Sequence, residues 1–208
     1  MEKTFQRRHE SQRGERRRHA LMTALLSDRR YRRALDAGCG DGDFTRQIAP
    51  FCDRVIALDI SEAAIWRAMV NLADLGHVSF VRGNLRNHVV VPNWDLIVLG
   101  DVLPLLDAGP RCESDLQRLF SLFNSSLAPG GRILTSLSLR TPADYAAARR
   151  YARLFMGDGV VRAAREMVAG GRDGEPRVIM SVFERPSVSV SVSAAGGASL
   201  QPAYRTQH

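Results

Sequence analysis

Short apolar runs alternate with stretches of helical periodicity along most of the chain. Between Gly14 and Ser27, Leu21 and Leu25 recur at four-residue spacing, as do Met22 and Leu26, which predicts a helix with one apolar face. The apolar runs predict strands at 34–37, 54–59, 78–82, 94–99 and 132–139. Helical patterns between them lie at 44–49, 62–75 and 112–127. Because strands alternate with helices, a doubly wound parallel sheet is predicted.

The pattern changes after the fifth predicted strand. A helix at 143–155 is followed by two strand candidates, 159–168 and 177–184, which are joined by a glycine-rich turn at 170–174. Two consecutive strands joined by a short turn favour an antiparallel pair. The sequence therefore predicts an α/β fold with a mostly parallel, seven-stranded sheet and an antiparallel strand at its C-terminal end.

The 208 residues are enough for one domain with a sizeable core and are short for two. We predict a basic arm and helix at 1–33, the α/β domain at 34–186 and a tail at 187–208. The tail is rich in Ser, Val, Ala and Gly and has few large apolar groups, so it is predicted to be disordered. The Val and Ser alternation at 188–193 leaves an edge strand open.

The net charge of +7 is concentrated in one segment of the chain. Residues 1–33 hold eleven of the 29 basic residues and four of the 22 acidic ones, so the remaining positions balance. A neutral body disfavours a broad groove for nucleic acid. The arm is predicted to be a solvated helix face or a partly disordered tail.

Hydropathy and cysteine usage bear on the compartment. No apolar run approaches the roughly 20 residues of a membrane-spanning helix, so no membrane association is expected. The charged segment 1–18 precedes no apolar stretch typical of a secretion signal. The three cysteines, Cys39, Cys52 and Cys112, are an odd number without metal-like pairing. A reducing cytoplasm is therefore expected, and no metal site is predicted.

The strongest chemical signal is the segment Asp36-Ala37-Gly38-Cys39-Gly40-Asp41-Gly42 between a strand and a helix. Glycines allow a tight turn and a closer approach of a ligand than a Cβ would permit. The next strand ends at Asp59, seventeen residues after Gly42. A carboxylate at that position can accept hydrogen bonds from both hydroxyls of a ribose. The two features together predict a site for an adenosine-containing cofactor.

The glycine spacing is G-x-G-x-G, with an acid two residues before the first glycine, whereas dinucleotide sites usually show G-x-G-x-x-G. This segment resembles the first motif of the class I S-adenosylmethionine-dependent methyltransferases. Three further segments resemble later motifs of that class in the expected order, namely 55–61, 94–103 and 127–134. The resemblance covers about residues 34–139 and implies a Rossmann-like sheet that binds S-adenosyl-L-methionine.

The resemblance also implies which positions contact this cofactor. Asp36 would lie near the amino group of the methionine part, Asp59 would hold the ribose, and Gly100 would offer its carbonyl to the ammonium. Many relatives carry Asp where Asn84 stands, so an ordinary turn residue is left open there. The implied cofactor-binding residues are Asp36, Gly38, Gly40, Gly42, Asp59, Ile60, Asn84, Leu85 and Gly100.

Two residues are predicted to act on the methyl acceptor. Asp101 directly follows the fourth strand, at the edge of the sheet where ligands collect in open α/β folds. A carboxylate there suits an amine, because it can orient an ammonium and receive its proton. His19 shares the apolar stripe with Met22 and, together with Arg18, would lie at the pocket mouth as a proton acceptor. The alternatives are a helix-capping or backbone-bonding Asp101 and a histidine satisfied at a helix end.

Within this class, the chain is most similar to the NodS-type (nodulation) N-methyltransferases. The likeness rests on Glu15-Arg16-Arg17-Arg18-His19, on 44–50 and on the short region after strand five. It implies methylation of the amine of a small molecule, an amino sugar or deacetylated chitin-like oligosaccharide. The chain departs from the pattern at Gly14, Asp101 and Pro104-Leu105, where an aromatic residue, a Glu and an aromatic pair are usual.

Three other functions remain open at the level of the sequence. The altered acceptor positions leave room for O- or N-methylation of another secondary metabolite. RNA or protein methylation would use the arginine-rich arm to grip phosphates, but the neutral body and the 7% aromatic content disfavour it. A cofactor-binding protein without catalysis is the third. The oligomeric state is not predicted.

Overall fold

The computed structural model describes residues 2–85, 93–108, 113–157, 159–170 and 177–187, with side chains from residue 13 onward. The helices are α1 (Glu2–Leu26), α2 (Asp43–Ile48), α3 (Glu62–Asn71), α4 (Leu103–Asp107), α5 (Glu113–Ser126) and α6 (Pro142–Met156). The strands are β1 (Tyr31–Ala37), β2 (Cys52–Asp59), β3 (Val78–Arg82), β4 (Trp94–Gly100), β5 (Leu127–Leu139), β6 (Arg162–Gly170) and β7 (Arg177–Glu184).

The strands form one sheet in the order β3-β2-β1-β4-β5-β7-β6. All neighbours from β3 to β5 pair in parallel, and β7 is antiparallel to both β5 and β6. This confirms the predicted α/β fold with a mostly parallel, seven-stranded sheet. The strand order reverses between β1 and β4, and the carboxyl ends of the strands at such a switch point are where open α/β sheets bind ligands.

The central strands β1, β4 and β5 are largely buried, and their successive side chains point to opposite faces of the sheet, so each face carries its own core. In β1, Leu35 and Ala37 face a cluster that contains Phe120 of α5 and Phe155 of α6. Ala34 faces the other cluster, with Met22 of α1 and residues of α2 and α3. The helices α1, α2 and α3 therefore cover one side, called the α1 face below.

The largest differences from the predicted elements occur at three places. Other boundaries shift by up to four residues; β1, for example, begins at Tyr31 rather than at Ala34. The helix predicted from Gly14 begins at Glu2, because residues 2–13 contain neither Gly nor Pro and are rich in good helix formers. The short helix α4 was not predicted. Strand β5 begins at Leu127 rather than at 132, because Leu127 pairs with Trp94 and the turn that follows stays in the sheet.

The C-terminal end of α1 is fastened to the sheet by charged side chains. The buried guanidinium of Arg132 on β5 donates to Asp28 at 2.7 Å and to Glu184 at 2.9 Å. Arg165 on β6 donates to the second oxygen of Asp28 at 2.6 Å and to the carbonyl of Leu25 at 2.9 Å. These bonds fix the direction in which α1 leaves the sheet.

Some predictions fall outside the residues that the structure describes. They concern Cys112, the turn at 171–174 and the tail at 188–208. Among the described helices, none combines the length and apolar character required to cross a membrane.

Candidate active site

A cavity of about 440 Å³ lies at the carboxyl ends of β1 and β4, on the α1 face of the sheet. Helix α1 forms its roof, with side chains spaced three to four residues apart, and the glycine-rich segment after β1 forms its floor. The lining residues are Glu15, Arg18, His19, Met22, Asp36, Gly38, Cys39, Gly40, Asp41, Asp43, Phe44, Val98, Gly100 and Asp101.

The glycine-rich segment turns through three left-handed residues, with φ of 81° at Gly38, 54° at Gly40 and 85° at Gly42. A Cβ on Gly42 would lie 2.7 Å from Leu72, and one on Gly38 would lie 3.2 Å from Val102, so both glycines permit close packing. A Cβ on Gly40 would meet nothing within 4 Å. Gly40 therefore opens to the cavity.

Asp59 lies beside this turn at the end of β2. One of its carboxylate oxygens accepts from the N–H of Gly40 at 3.1 Å, and the other accepts from the N–H of Ser61 at 2.8 Å. Ser61 in turn caps α3 by accepting from the N–H of Ala64 at 3.3 Å. The carboxylate is thus held in one orientation, and the following residue, Ile60, is 67% exposed.

Asp36 is buried on the α1 face at the end of β1. Its carboxylate accepts a hydrogen bond from the hydroxyl of Thr45 in α2 at 2.6 Å. Burial raises the pKa of Asp36 to about 6; the Thr45 hydrogen bond opposes this rise and the charge of Asp59 adds to it. The site therefore holds a carboxylate without a cationic protein partner among the contacts described, which suits a positively charged ligand group.

Asp101 follows β4 in a strained backbone conformation, with a φ of 51° that a residue other than glycine rarely adopts. Its N–H donates to the carbonyl of Ser136 at 2.9 Å. The N–H and the hydroxyl of Ser138 donate to its two carboxylate oxygens at 3.0 and 3.3 Å. Strain that the surroundings fix in this way is typical of functional positions.

Arg18 on α1 joins the two predicted catalytic residues. Its Nη1 donates to Oδ2 of Asp101, while its Nη2 lies 3.2 Å from Glu15 and 3.3 Å from Nε2 of His19. A guanidinium has only donors, so Nε2 of His19 accepts and the ring proton is assigned to Nδ1. The predicted pair is thereby brought into one cluster in the lining of the cavity.

His19 lies in the middle of α1 and not at a helix end, because the helix begins at Glu2. Its ring packs against Phe44, with 5.2 Å between the ring centroids. Burial, together with the neighbouring charge of Arg18, lowers the pKa of His19 below its usual value. The imidazole is therefore neutral at neutral pH.

The structure brings some of the predicted cofactor residues to the cavity and places others outside its lining. Asp36, Gly38, Gly40 and Gly100 line it. The rest lie outside the lining. Gly42 packs on Leu72, and Asp59 and Ile60 flank the glycine-rich turn. Asn84 is exposed after β3, and Leu85 is buried on the other side of the sheet. Pro104 and Leu105 are exposed in α4.

Sequence reasoning missed two residues that hold Asp36 and Asp101 in place. Thr45 bonds Asp36, and Ser138 bonds Asp101 from a strand that is otherwise largely apolar. Thr45 is buried and Ser138 is half-buried, and their polar character among apolar neighbours was the available signal. Arg18 was expected at the pocket mouth, but its bond to Asp101 joins residues 83 positions apart and needs the fold. Among the described residues, no group of three metal-ligating side chains occurs.

Comparison with known proteins gives a family match over most of the chain. A model of the nodulation protein S (NodS) family matches residues 6–168. A nodulation protein S from Sinorhizobium fredii (strain NBRC 101917 / NGR234) is 31% identical over 121 residues, which are 58% of this chain and 54% of that protein. One from Rhizobium tropici is 32% identical over 121 residues, 58% of this chain and 49% of that protein. The chain spans about half the length of these curated relatives.

A solved structure shows the same fold. The N-methyltransferase NodS from Bradyrhizobium japonicum WM9, in complex with S-adenosyl-L-homocysteine, superposes with a TM-score of 0.71. The two chains are 22% identical, and the match covers 84% of this chain and 88% of that one.

Proposed function

The chain belongs to the nodulation protein S (NodS) family, and we propose on this premise that it is an S-adenosyl-L-methionine-dependent N-methyltransferase of a small-molecule amine. The observation that carries the proposal is the acidic cavity at the switch point of the sheet, where the glycine-rich turn meets Asp101 and His19. The S-adenosyl-L-homocysteine bound to the B. japonicum NodS supports the choice of cofactor.

The residues around the cavity fit such a cofactor. Each carboxylate oxygen of Asp59 accepts one backbone N–H, so lone pairs remain for ribose hydroxyls. The exposed side chain of Ile60 offers an apolar surface beside the ribose position. Asp36 suits the ammonium of the methionine part. We assign cofactor binding to the set Asp36, Gly38, Gly40, Gly42, Asp59, Ile60, Asn84, Leu85 and Gly100.

The charge of the cavity favours an amine as the acceptor. Five carboxylates line it, those of Glu15, Asp36, Asp41, Asp43 and Asp101, against the single guanidinium of Arg18. A cavity with this excess attracts cationic groups and repels phosphates. The same charge disfavours an RNA acceptor, although Arg13, Arg16 and Arg17 lie exposed on the outside of α1.

The chemical step needs alignment and an unprotonated nitrogen. S-adenosyl-L-methionine, when bound, supplies an electrophilic methyl group on its sulfonium. Asp101, held by Ser138, orients the acceptor amine at the cavity mouth. His19 is neutral at neutral pH and takes up a proton, once Arg18 no longer donates to its Nε2.

The acceptor class follows from the family rather than from the cavity alone. We assign an amino sugar or a deacetylated chitin-like oligosaccharide, because the curated relatives are nodulation proteins and the B. japonicum relative is an N-methyltransferase. Residues 34–186 form the methyltransferase domain in this proposal, and residues 1–33 form the arm and helix from which Glu15, Arg18, His19 and Met22 line the cavity. The free thiols of Cys39 and Cys52 are in keeping with a cytoplasmic location.

Methyl transfer from labelled S-adenosyl-L-methionine to three acceptors in parallel tests the proposal. The acceptors are a deacetylated chitin oligosaccharide, its fully N-acetylated counterpart and bulk tRNA. We expect label on the deacetylated sugar alone. It offers a basic aliphatic amine to the acidic cavity, whereas the acetylated sugar offers an amide and tRNA carries phosphates that the cavity repels. Label on tRNA, or equal label on both sugars, would contradict the proposal.

The variant Asp101→Asn checks the assigned site in the same assay. Asn tolerates the left-handed backbone that Asp101 adopts, so the fold should be retained. We expect turnover to fall roughly 100-fold, because the neutral amide of the variant no longer orients the ammonium of the acceptor through its charge. Calorimetric affinity for S-adenosyl-L-homocysteine is the control and should change far less.

A further inference from the structure

Arg18 is the only cationic side chain among the described residues that line the cavity. Its neighbour His19 is neutral at neutral pH, because burial and the charge of Arg18 lower its pKa. The other ionisable lining groups, apart from the thiol of Cys39, are carboxylates. The methionine part of an S-adenosyl ligand carries a carboxylate beside its ammonium. Such a carboxylate would be repelled by most of the lining and attracted by Arg18 alone.

The glycine-rich turn does not provide an alternative partner at four of its amides. The N–H groups of Gly38 and Cys39 both donate to the carbonyl of Leu58, at 2.7 and 3.0 Å. The N–H of Gly42 donates to the carbonyl of Cys39 at 3.0 Å, and that of Gly40 donates to Asp59 at 3.1 Å. These amides are therefore engaged within the protein before any ligand binds.

Arg18 has one N–H donor that lacks a partner among the described residues. Its Nη1 bonds Asp101 and its Nη2 contacts Glu15 and His19, but its Nε is buried and has no hydrogen-bond partner among the described residues. A buried N–H of a charged group without an acceptor is costly. A carboxylate in the cavity would satisfy this donor and would form a charge-assisted bond.

We propose that Arg18 binds the carboxylate of the methionine part of the donor while it holds Asp101, so that one side chain links the donor site to the acceptor site. The inference rests on the proposed function, since it requires an S-adenosyl ligand in the cavity. It adds a residue to the cofactor site that the glycine motif and the ribose acid do not reveal. Arg18 is a binding residue for the donor and a positioning residue for Asp101.

Calorimetric binding of two ligands to the full chain tests this role without turnover. The ligands are S-adenosyl-L-homocysteine and its decarboxylated analogue S-adenosyl-3-thiopropylamine, which lacks only the carboxylate. We expect the native protein to bind S-adenosyl-L-homocysteine roughly 10–100-fold more tightly, as a charge-assisted bond in a buried site warrants. In Arg18→Met this preference should vanish or reverse, because the remaining carboxylates attract the more cationic analogue.

Two further variants separate the carboxylate contact from a general change in α1. Arg17→Met removes an exposed guanidinium from the neighbouring position and should keep the native preference. Arg18→Lys keeps the charge with fewer donors and should give an intermediate preference. Circular dichroism of each variant reports whether the helix content of the native protein is retained.

The outcomes are distinguishable. An Arg18→Met protein that keeps the native preference would overturn the inference and leave the proposed function intact. A native protein that binds the decarboxylated analogue more tightly would overturn the inference even if Arg18→Met did not fold. Absence of any S-adenosyl-L-homocysteine binding by the native protein would overturn the proposed function and this inference with it.

Discussion

Under the proposed function, Asp36 combines a stability cost with a functional gain at a single residue. Its pKa is about 6 in the folded protein, chiefly because of burial, against 3.8 for an ordinary Asp. Between these two pH values the folded state holds the proton more tightly than the unfolded chain, so the free energy of unfolding falls as pH rises through this window. We therefore expect Asp36→Asn, which can still accept from Thr45, to stabilise the protein at pH 7.5 by on the order of 3 kcal/mol.

Urea unfolding at pH 7.5 and near pH 4 checks this expectation. The gain should shrink toward the lower pH, where Asp36 is protonated in the native protein too. Asp53→Asn, at an exposed position on β2, is the matched control and should show no comparable dependence on pH. Equal stability of Asp36→Asn and the native protein at pH 7.5 would show that the buried carboxylate carries no net cost. Such a cost is tolerated where the carboxylate awaits a cationic ligand group.

At the scale of elements, the sequence predicted all seven strands that the structure describes, because each contains a short run of apolar residues bounded by polar or turn-forming residues. Strand β3 was predicted with its observed limits and β7 likewise, since both end at turn-forming sequences. The short helix α4 escaped prediction because five residues with a proline do not display a helical period. The start of α1 was also missed, because the sequence of residues 2–13 is almost entirely polar and has no repeat of apolar residues at helical spacing.

The anchoring of α1 provides a prediction at this scale. Arg132 is buried and bridges Asp28 at the end of α1 to Glu184 on β7. We expect Arg132→Met to lower the free energy of unfolding by about 2–3 kcal/mol, less than for a fully buried pair because both carboxylates partly reach water. Arg165→Met removes a more exposed partner of Asp28 and should cost below about 1 kcal/mol. Urea unfolding of both variants measures the difference, and equal losses would contradict a dominant role for Arg132.

At the scale of the whole molecule, the sequence predicted which residues meet at the glycine-rich turn better than it predicted the charge of the cavity beside it. The glycine turn follows β1, and Asp59 ends β2. Because β1 and β2 are adjacent parallel strands, their carboxyl ends lie side by side, and the spacing in the sequence predicts that the two meet. The acidic cavity draws on residues from α1, β1, α2 and β4, and no local pattern brings them together. The net charge of the whole chain is +7, which is opposite in sign to the excess charge of the cavity.

This separation of charge predicts how salt affects the reaction. The excess of carboxylates in the cavity should draw in a cationic acceptor, and salt screens that attraction. We expect kcat/KM for a deacetylated chitin oligosaccharide to fall roughly 3–10-fold as NaCl rises from about 20 to about 500 mM. The affinity for S-adenosyl-L-homocysteine, whose methionine part is a zwitterion, is the control and should change little. Either of two other outcomes would contradict this prediction. A kcat/KM that is insensitive to salt would mean that the cavity charge acts only on bound ligands. A kcat/KM that rises with salt would mean that the basic exterior of α1 repels the acceptor before it reaches the cavity.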